Sequence, residues 1–338
     1  MEIAKKGKPK QKAIALETLA MSERFRGQRE AIGGLQAAVV PTGERQRTIY
    51  DVKNGTNLPG VQVRSEGAAS TGDIAVDEAY DGAGATYDLF YEIYERNSID
   101  DRGMRLDSTV HYGMNYDNAF WNGNQMVYGD GDGDLFNRFT IAIDVIGHEL
   151  THGITQYEAN LTYRDQPGAL NESFSDVFGT MVKQRALNQQ ANEADWLIGE
   201  GLFTSNVNGE ALRSMKAPGT AYNDPVIGKD PQPAHMRDYA KVSYDNGGVH
   251  INSGIPNHAF YLVATEIGGY AWEKAGMIWY IVLRERLSSR AQFQDAANMT
   301  YQVAAELYGN GSTEQQAVKN GWNGVGISVS TSTKGRRK

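Results

Sequence analysis

The chain has 338 residues, 40% hydrophobic and 22% charged, the composition of a soluble globular protein large enough for two packed domains. A net charge of −8, with no long central run of lysine or arginine, argues against nucleic acid as a partner. The absence of cysteine excludes disulfides, thiolate metal ligands and cysteine nucleophiles, and no apolar run reaches the roughly eighteen residues of a membrane span.

Residues 1 to 44 read as a charged, helix-favouring leader, poor in large apolar side chains. Its lysine-rich start, KKGKPKQK, and the final KGRRK are expected to be solvated tails. Glu17 and Thr18 interrupt AIALETLAM, so it does not form a secretory apolar core. The expectation is export from a bacterium without a standard signal peptide, or an intracellular location. Residues 45–158 read as a strand-rich lobe, with GVQVR, STVHYG and NQMVYG set between Gly, Asn and Asp turns. One helix, AYDGAGATYDLFYEIYERNS, interrupts it. From Phe139 helical spacing dominates, over 140–157, 170–190, 252–268, 271–287 and 291–308, and 159–338 reads as a helical lobe. The Gly/Pro/Asn-rich stretch 204–248 is too long for a simple connector. The fold class is α+β: a strand-rich N-terminal lobe, a helical C-terminal lobe, and a cleft between them.

DVIGHELTHG (144–153) carries the chemistry. Positions four apart on a helix differ by about 40°, so His148 and His152 can aim at one point. Glu149, one step round, reaches a water at that point but does not readily join as a ligand. This is the H-E-x-x-H pattern of a zinc site with its own general base. Catalytic zinc takes three protein ligands and one open position, so a third ligand is needed downstream. In GALNESFSDVFGTM, Glu172 and Asp176 share a helix face beside Leu170, Phe174, Val177 and Phe178. Glu172 can be the third ligand, and Asp176 can orient a ligating imidazole.

HELTH, then NESFSD, then DNGGVHINSGIPN, with NAFWNG (118–123), VYGDGDG (127–133) and LRSM (212–215), resembles the thermolysin family of zinc endopeptidases over about residues 46–325. The leader and TIYDVKNGTNLPG resemble its short-prosegment, protealysin-like branch. The resemblance implies a two-lobed thermolysin-like fold with one catalytic zinc in the cleft. His148, His152 and Glu172 would be the ligands, Asp176 the partner of His148, and Glu149 the base. Tyr163 and His250, the latter held by Asp245, match the oxyanion donors. Asn118 and Ala119 match a segment that pairs with the substrate backbone, and Arg213 matches an arginine that grips a substrate carbonyl. Phe136, Phe139, Val145, Ile198, Leu202 and Leu212 match the wall of the pocket just after the scissile bond (P1′). All six are apolar, which predicts a preference for bulky hydrophobic residues there.

Calcium is the main departure. The family commonly binds it through five acidic positions; this chain keeps Asp144, Asp195 and Glu200 but has Lys183 and Leu197 at the other two. Lys183 is eleven residues after Glu172, about 20° off the same helix face, so its ammonium is expected to pair with these carboxylates and weaken or replace calcium. DGDGD (130–134) has Leu135 and Ile141 where an EF-hand loop needs glycine and glutamate, and reads as a turn. The expected function is a neutral zinc endopeptidase acting as a monomer on proteins or peptides, subject to a separate protein inhibitor. An aminopeptidase would need acidic groups for a free amine, and no such motif is present. A catalytically inactive zinc-bearing binding module has no need of Glu149. In that branch a short prosegment covers the cleft and is removed by self-cleavage; its proline-bearing opening motif is missing here, which leaves residues 1–44 as a shortened prosegment, a truncated sequence, or a tail with no inhibitory role.

Overall fold

The structure, a computed structural model, describes residues 2–32 and 44–329; the final KGRRK lies outside them. Two helices open the chain, α1 (Glu2–Lys6) and α2 (Pro9–Ile32). The expectation of a solvated basic start is corrected here. Lys5 and Lys6 do face solvent, but Ile3 packs on Leu135, Phe203, Val207 and Ile227, and buried Gln11 donates to Asp134 Oδ2 at 2.8 Å. Lysines mark the wet side of a helix and say nothing about whether its dry side is covered.

The N-terminal lobe is a mixed five-stranded sheet of β1 (Arg47–Asp51), β2 (Val61–Ser65), β3 (Leu106–Val110), β4 (Ala119–Trp121) and β5 (Met126–Tyr128), in the order β2-β1-β3-β5-β4. The inner pairs β1–β3 and β3–β5 are parallel, and both outer strands run antiparallel. Helix α3 (Ile74–Tyr94) covers one face, its first turn capped by the Asp73 carboxylate, which accepts from the N–H groups of Ala75 and Val76. Ala79, Ala83, Leu89 and Phe90 bury its apolar side against the sheet and the next two helices.

Those two helices, α4 (Ile143–Tyr157) and α5 (Asp165–Ala186), form the centre of the molecule. Val145, Ile146, Leu150 and Ile154 on α4 meet Phe174, Val177, Phe178 and Met181 on α5, all buried. The pair crosses backbone to backbone at Gly179, where an added Cβ would lie 2.3 Å from the Asp144 carbonyl oxygen. Any side chain there would push the helices apart, and with them the groups they carry toward each other.

The C-terminal lobe begins with two small hairpins, β6 (Leu197–Ile198) with β7 (Arg213–Ser214) and β8 (Asn223–Asp224) with β9 (Gly228–Lys229), which occupy much of the Gly/Pro-rich stretch. Helices α6 (Asp245–Asn252), α7 (Gly254–Ile267), α8 (Lys274–Ile281), α9 (Phe293–Tyr308) and α10 (Thr313–Gly324) complete it. The single helix expected over 271–287 is shorter and passes into a π-helical turn, where the Leu287 N–H reaches back five residues to Val282. The polar sequence of α10 carries little helical signal. Burial of Ala317, Val318 and Trp322 holds it, with Trp322 Nε1 donating to Thr300 at 2.8 Å.

Candidate active site

Helix α4 presents His148 and His152 one turn apart toward α5, each about 5% exposed. Across the glycine crossing, α5 presents Glu172, 1% exposed, so that His148 Nε2 lies 3.4 Å from Oε2 and His152 Nε2 lies 3.4 Å from Oε1. Among the described residues this is the one group of three or more His, Asp or Glu whose donor atoms all fall within 4.8 Å of one another. A tetrahedral zinc with bonds of about 2.0–2.1 Å separates its ligands by about 3.3–3.4 Å. The donor set, two neutral-capable imidazoles and one carboxylate, therefore fits that ion in both chemistry and spacing.

Each imidazole is held from behind. Asp176 Oδ1 lies 2.7 Å from His148 Nδ1, and Asn171 Oδ1 lies 2.7 Å from His152 Nδ1, with Ser175 Oγ at 3.1 Å. Acceptors on Nδ1 keep the proton there and leave the Nε2 lone pair pointing at the shared centre. Burial opposes charge on His148, yet Asp176 and Glu172 outweigh it and push its pKa up to about 10. Glu172 is raised by burial and lowered more strongly by His250, His152 and His148, which hold it well below the usual carboxylate range. A metal entering this cluster must displace protons.

Glu149 follows His148 on α4, and its Oε2 accepts the Trp121 N–H of β4 at 3.1 Å. Tyr163 Oη donates to Glu172 Oε1 and lies 3.2 Å from His250 Nε2, so both candidate oxyanion donors face the carboxylate. Asp245 Oδ1 is 2.5 Å from His250 Nδ1, and its Oδ2 accepts the His250 N–H at 2.9 Å. The chain reaches this geometry through four successive left-handed residues, Asp245 to Gly248, and a Cβ on Gly247 would stand 2.0 Å from Asp165 Oδ1.

Asn118 and Ala119 lie at and before β4, an outer strand of the sheet. Arg213 has a partner that the sequence did not indicate. Its Nε and Nη2 donate to both oxygens of Asp176, at 2.8 and 2.7 Å, and so brace the carboxylate that faces His148. The guanidinium still lines a cavity of about 270 Å³ shared with Phe136, Leu212, Tyr222, Ile227 and His250, and Ile3 of α1 forms part of its wall. Of the six pocket residues expected, Phe136 and Leu212 line this space. Phe139, Val145, Ile198 and Leu202 are buried in the main hydrophobic core, while Phe203, Tyr222 and Ile227, absent from the expected set, line the space.

Lys183 lies where expected. Its Nζ is 2.7 Å from Asp195 Oδ2, 3.1 Å from Glu200 Oε2 and 3.8 Å from Asp144 Oδ2. Burial dominates at Asp144 and raises it to about 6, against the opposing pull of the Lys183 ammonium 3.8 Å away and of the Gly199 N–H at 3.1 Å. In the DGDGD turn, Asp132 Oδ1 accepts the N–H groups of Asp134, Leu135 and Phe136, the bonding of a turn.

Comparison with known proteins agrees over most of the chain. Residues 40–156 match the family described as thermolysin metallopeptidase, catalytic domain, and residues 159–327 match its alpha-helical domain. An extracellular metalloprotease of Pectobacterium carotovorum subsp. carotovorum is 55% identical over 86% of this chain and 83% of the relative. A thermolysin from a Bacillus species is 42% identical over 82% of this chain and 50% of that protein. Among solved structures, the precursor of protealysin, a metalloproteinase from Serratia proteamaculans, superposes with a TM-score of 0.89 at 54% identity, over 97% of both chains.

Proposed function

The chain belongs to the thermolysin family of metallopeptidases and is a zinc-dependent neutral endopeptidase, and on that premise we propose how its residues divide the work. His148, His152 and Glu172 hold one zinc, with Asp176 and Asn171 setting the two imidazoles. Bound there, zinc supplies a Lewis acid that polarises the scissile carbonyl and brings the pKa of a water down toward about 7. Glu149, aimed by the Trp121 N–H, takes a proton from the water that attacks the scissile carbonyl and passes it to the amine that leaves. Tyr163 Oη and His250 Nε2 donate to the oxyanion developing on the carbonyl, and Asp245 keeps the imidazole turned toward it. The substrate backbone lies along Asn118 and Ala119 as an added strand. Arg213 reaches its carbonyl, and a bulky apolar P1′ side chain enters beside Phe136 and Leu212.

The single observation supporting this reading is the pair of 3.4 Å approaches of two imidazole nitrogens to separate oxygens of one buried glutamate. Treatment with 1,10-phenanthroline is expected to stop cleavage of casein, and zinc to restore it. Activity persisting in protein shown by elemental analysis to be free of metal would overturn it.

Lys183 takes the part that calcium plays in the family, since its ammonium already stands at the point on which Asp144, Asp195 and Glu200 converge and leaves at most one weak calcium site. The leader acts as an intramolecular occupant of the cleft, with Ile3 at the apolar wall beside Arg213 and Gln11 on Asp134. If it is removed by self-cleavage, mass spectrometry will find it lost from wild-type protein and retained in Glu149→Ala; its retention in active wild-type protein would contradict this. The extracellular character of the Pectobacterium relative supports action outside the cell, as a monomer on protein or peptide substrates. Among the described residues no helix is long and apolar enough to cross a membrane.

A further inference from the structure

Asp176 is fully buried and accepts four N–H groups from three other elements: His148 Nδ1 and Arg213 Nη2 on Oδ1, Arg213 Nε and Asn257 Nδ2 on Oδ2, all between 2.7 and 2.8 Å. A carboxylate has about four lone-pair sites, so the set is full. Three of the donors belong to groups with work elsewhere, one to a metal-ligand imidazole and two to an arginine facing the substrate pocket. The fourth belongs to Asn257, in the first turn of α7, whose own N–H is tied to the Ser253 carbonyl at 3.0 Å.

Asn257 is 0% exposed. Its orientation is forced, because a carboxylate facing it can only accept, so the NH₂ points to Asp176 and the carbonyl points away. That carbonyl, Oδ1, is buried with no hydrogen-bond partner among the described residues. A buried acceptor left unmatched is unfavourable, and a leucine of similar volume would remove it. What asparagine retains at that expense is one uncharged N–H on Asp176 Oδ2. Without it, Oδ2 would be held by Arg213 Nε alone, and the carboxylate could rotate, carrying both His148 and the guanidinium with it.

We infer that Asn257 is a positioning residue: acting through Asp176, it sets the metal-binding imidazole of His148 and the substrate-facing guanidinium of Arg213 together. The inference rests on the zinc-peptidase reading above and deepens it. It also adds a coupling, since one neutral amide on a helix that carries no ligand governs both ion retention and substrate affinity.

Two variants of the full-length chain test it. Asn257→Asp keeps the shape but replaces the N–H with an oxygen facing Asp176; Asn257→Leu keeps the volume and removes both the donor and the unmatched carbonyl. Zinc release to a chromophoric chelator, KM and kcat on a peptide, and the unfolding midpoint of the zinc-free protein are measured for each. Both variants are expected to lose zinc affinity by about 10–100-fold. KM should rise more than kcat falls at saturating zinc, and zinc-free Asn257→Leu should unfold no lower than zinc-free wild type. Wild-type zinc retention and KM in both variants, with only the unfolding midpoint lowered, would overturn the inference and leave a purely structural asparagine. Wild-type protein that takes up no zinc would instead overturn the reading on which the inference stands.

Discussion

One helix pair anchors two acidic clusters built around positive charge in different ways, the first buried and the second open to solvent at Asp195 and Glu200. Around His148, His152, Glu172 and Asp176 the donors converge on a point with an exchangeable cation's spacing, and one turn away Asp144, Asp195 and Glu200 converge on Lys183. The first must leave a corner for water and substrate, so its charge has to come from an ion and its affinity depends on protons and on free metal. The second has only to hold α5 to the 195–200 segment behind the pocket. A cation on a side chain does that independently of what the medium contains, whereas stabilisation by a bound ion grows with its concentration. Chemistry requires the removable cation, and cohesion is served by the tethered one.

The largest effect expected from breaking the comparison lies at the first cluster. His148→Ala should abolish both zinc retention and hydrolysis, and metal analysis beside a peptidase assay checks this. At the second, Lys183→Met leaves the buried Asp144 and the exposed Asp195 and Glu200 without their counter-charge, and because solvent screens two of the three the loss costs about 1–3 kcal/mol. Calorimetry should show the midpoint lowered by about 2–4 degrees, with zinc content per folded chain unchanged. The double variant Lys183→Glu, Leu197→Glu sharpens the contrast by turning the tethered site into a removable one. Its midpoint should rise with added calcium and fall with a calcium-selective chelator, while wild type responds to neither.

A third arrangement, nearer the surface, gives the smallest effect. His111 lies between Asp130, 2.9 Å from Nδ1, and Asp73, 3.1 Å from Nε2, and Asp130 above all raises it to about 9. Its folded pKa exceeds its unfolded value of about 6.5, so its contribution to stability is full below pH 6.5 and is lost as pH rises through about 9. His111→Gln should flatten the fall in unfolding midpoint across that window, and an unchanged pH profile would remove His111 from the account. Here the cation is neither bound nor permanent but titrates.

The sequence makes the parts of this design readable to unequal degrees. His148, His152 and Glu149, then Glu172 and Asp176, stand out because each set lies within one or two turns of a helix, where spacing translates directly into direction. The two-lobed order, strands before long helices, is legible for the same reason. Asn171 and Asn257 are not: a neutral amide leaves no pattern, and Asn257 meets Asp176 across 81 positions. Arg213 is legible as a functional arginine but not as the brace of Asp176, because its partner is 37 positions away on another element. At the leader, charge is visible and docking is not, since the contacts of Ile3 and Gln11 lie more than a hundred positions downstream.

The central claim is that His148, His152 and Glu172 hold the ion while Glu149 moves the proton without holding it. Zinc content and peptide hydrolysis, measured together on Glu149→Ala and His152→Ala, test this most directly. The account predicts one zinc per chain in Glu149→Ala with hydrolysis reduced at least about a hundredfold, and loss of both zinc and hydrolysis in His152→Ala. A Glu149→Ala protein that cleaves at the wild-type rate, or a His152→Ala protein that keeps its zinc, would contradict it.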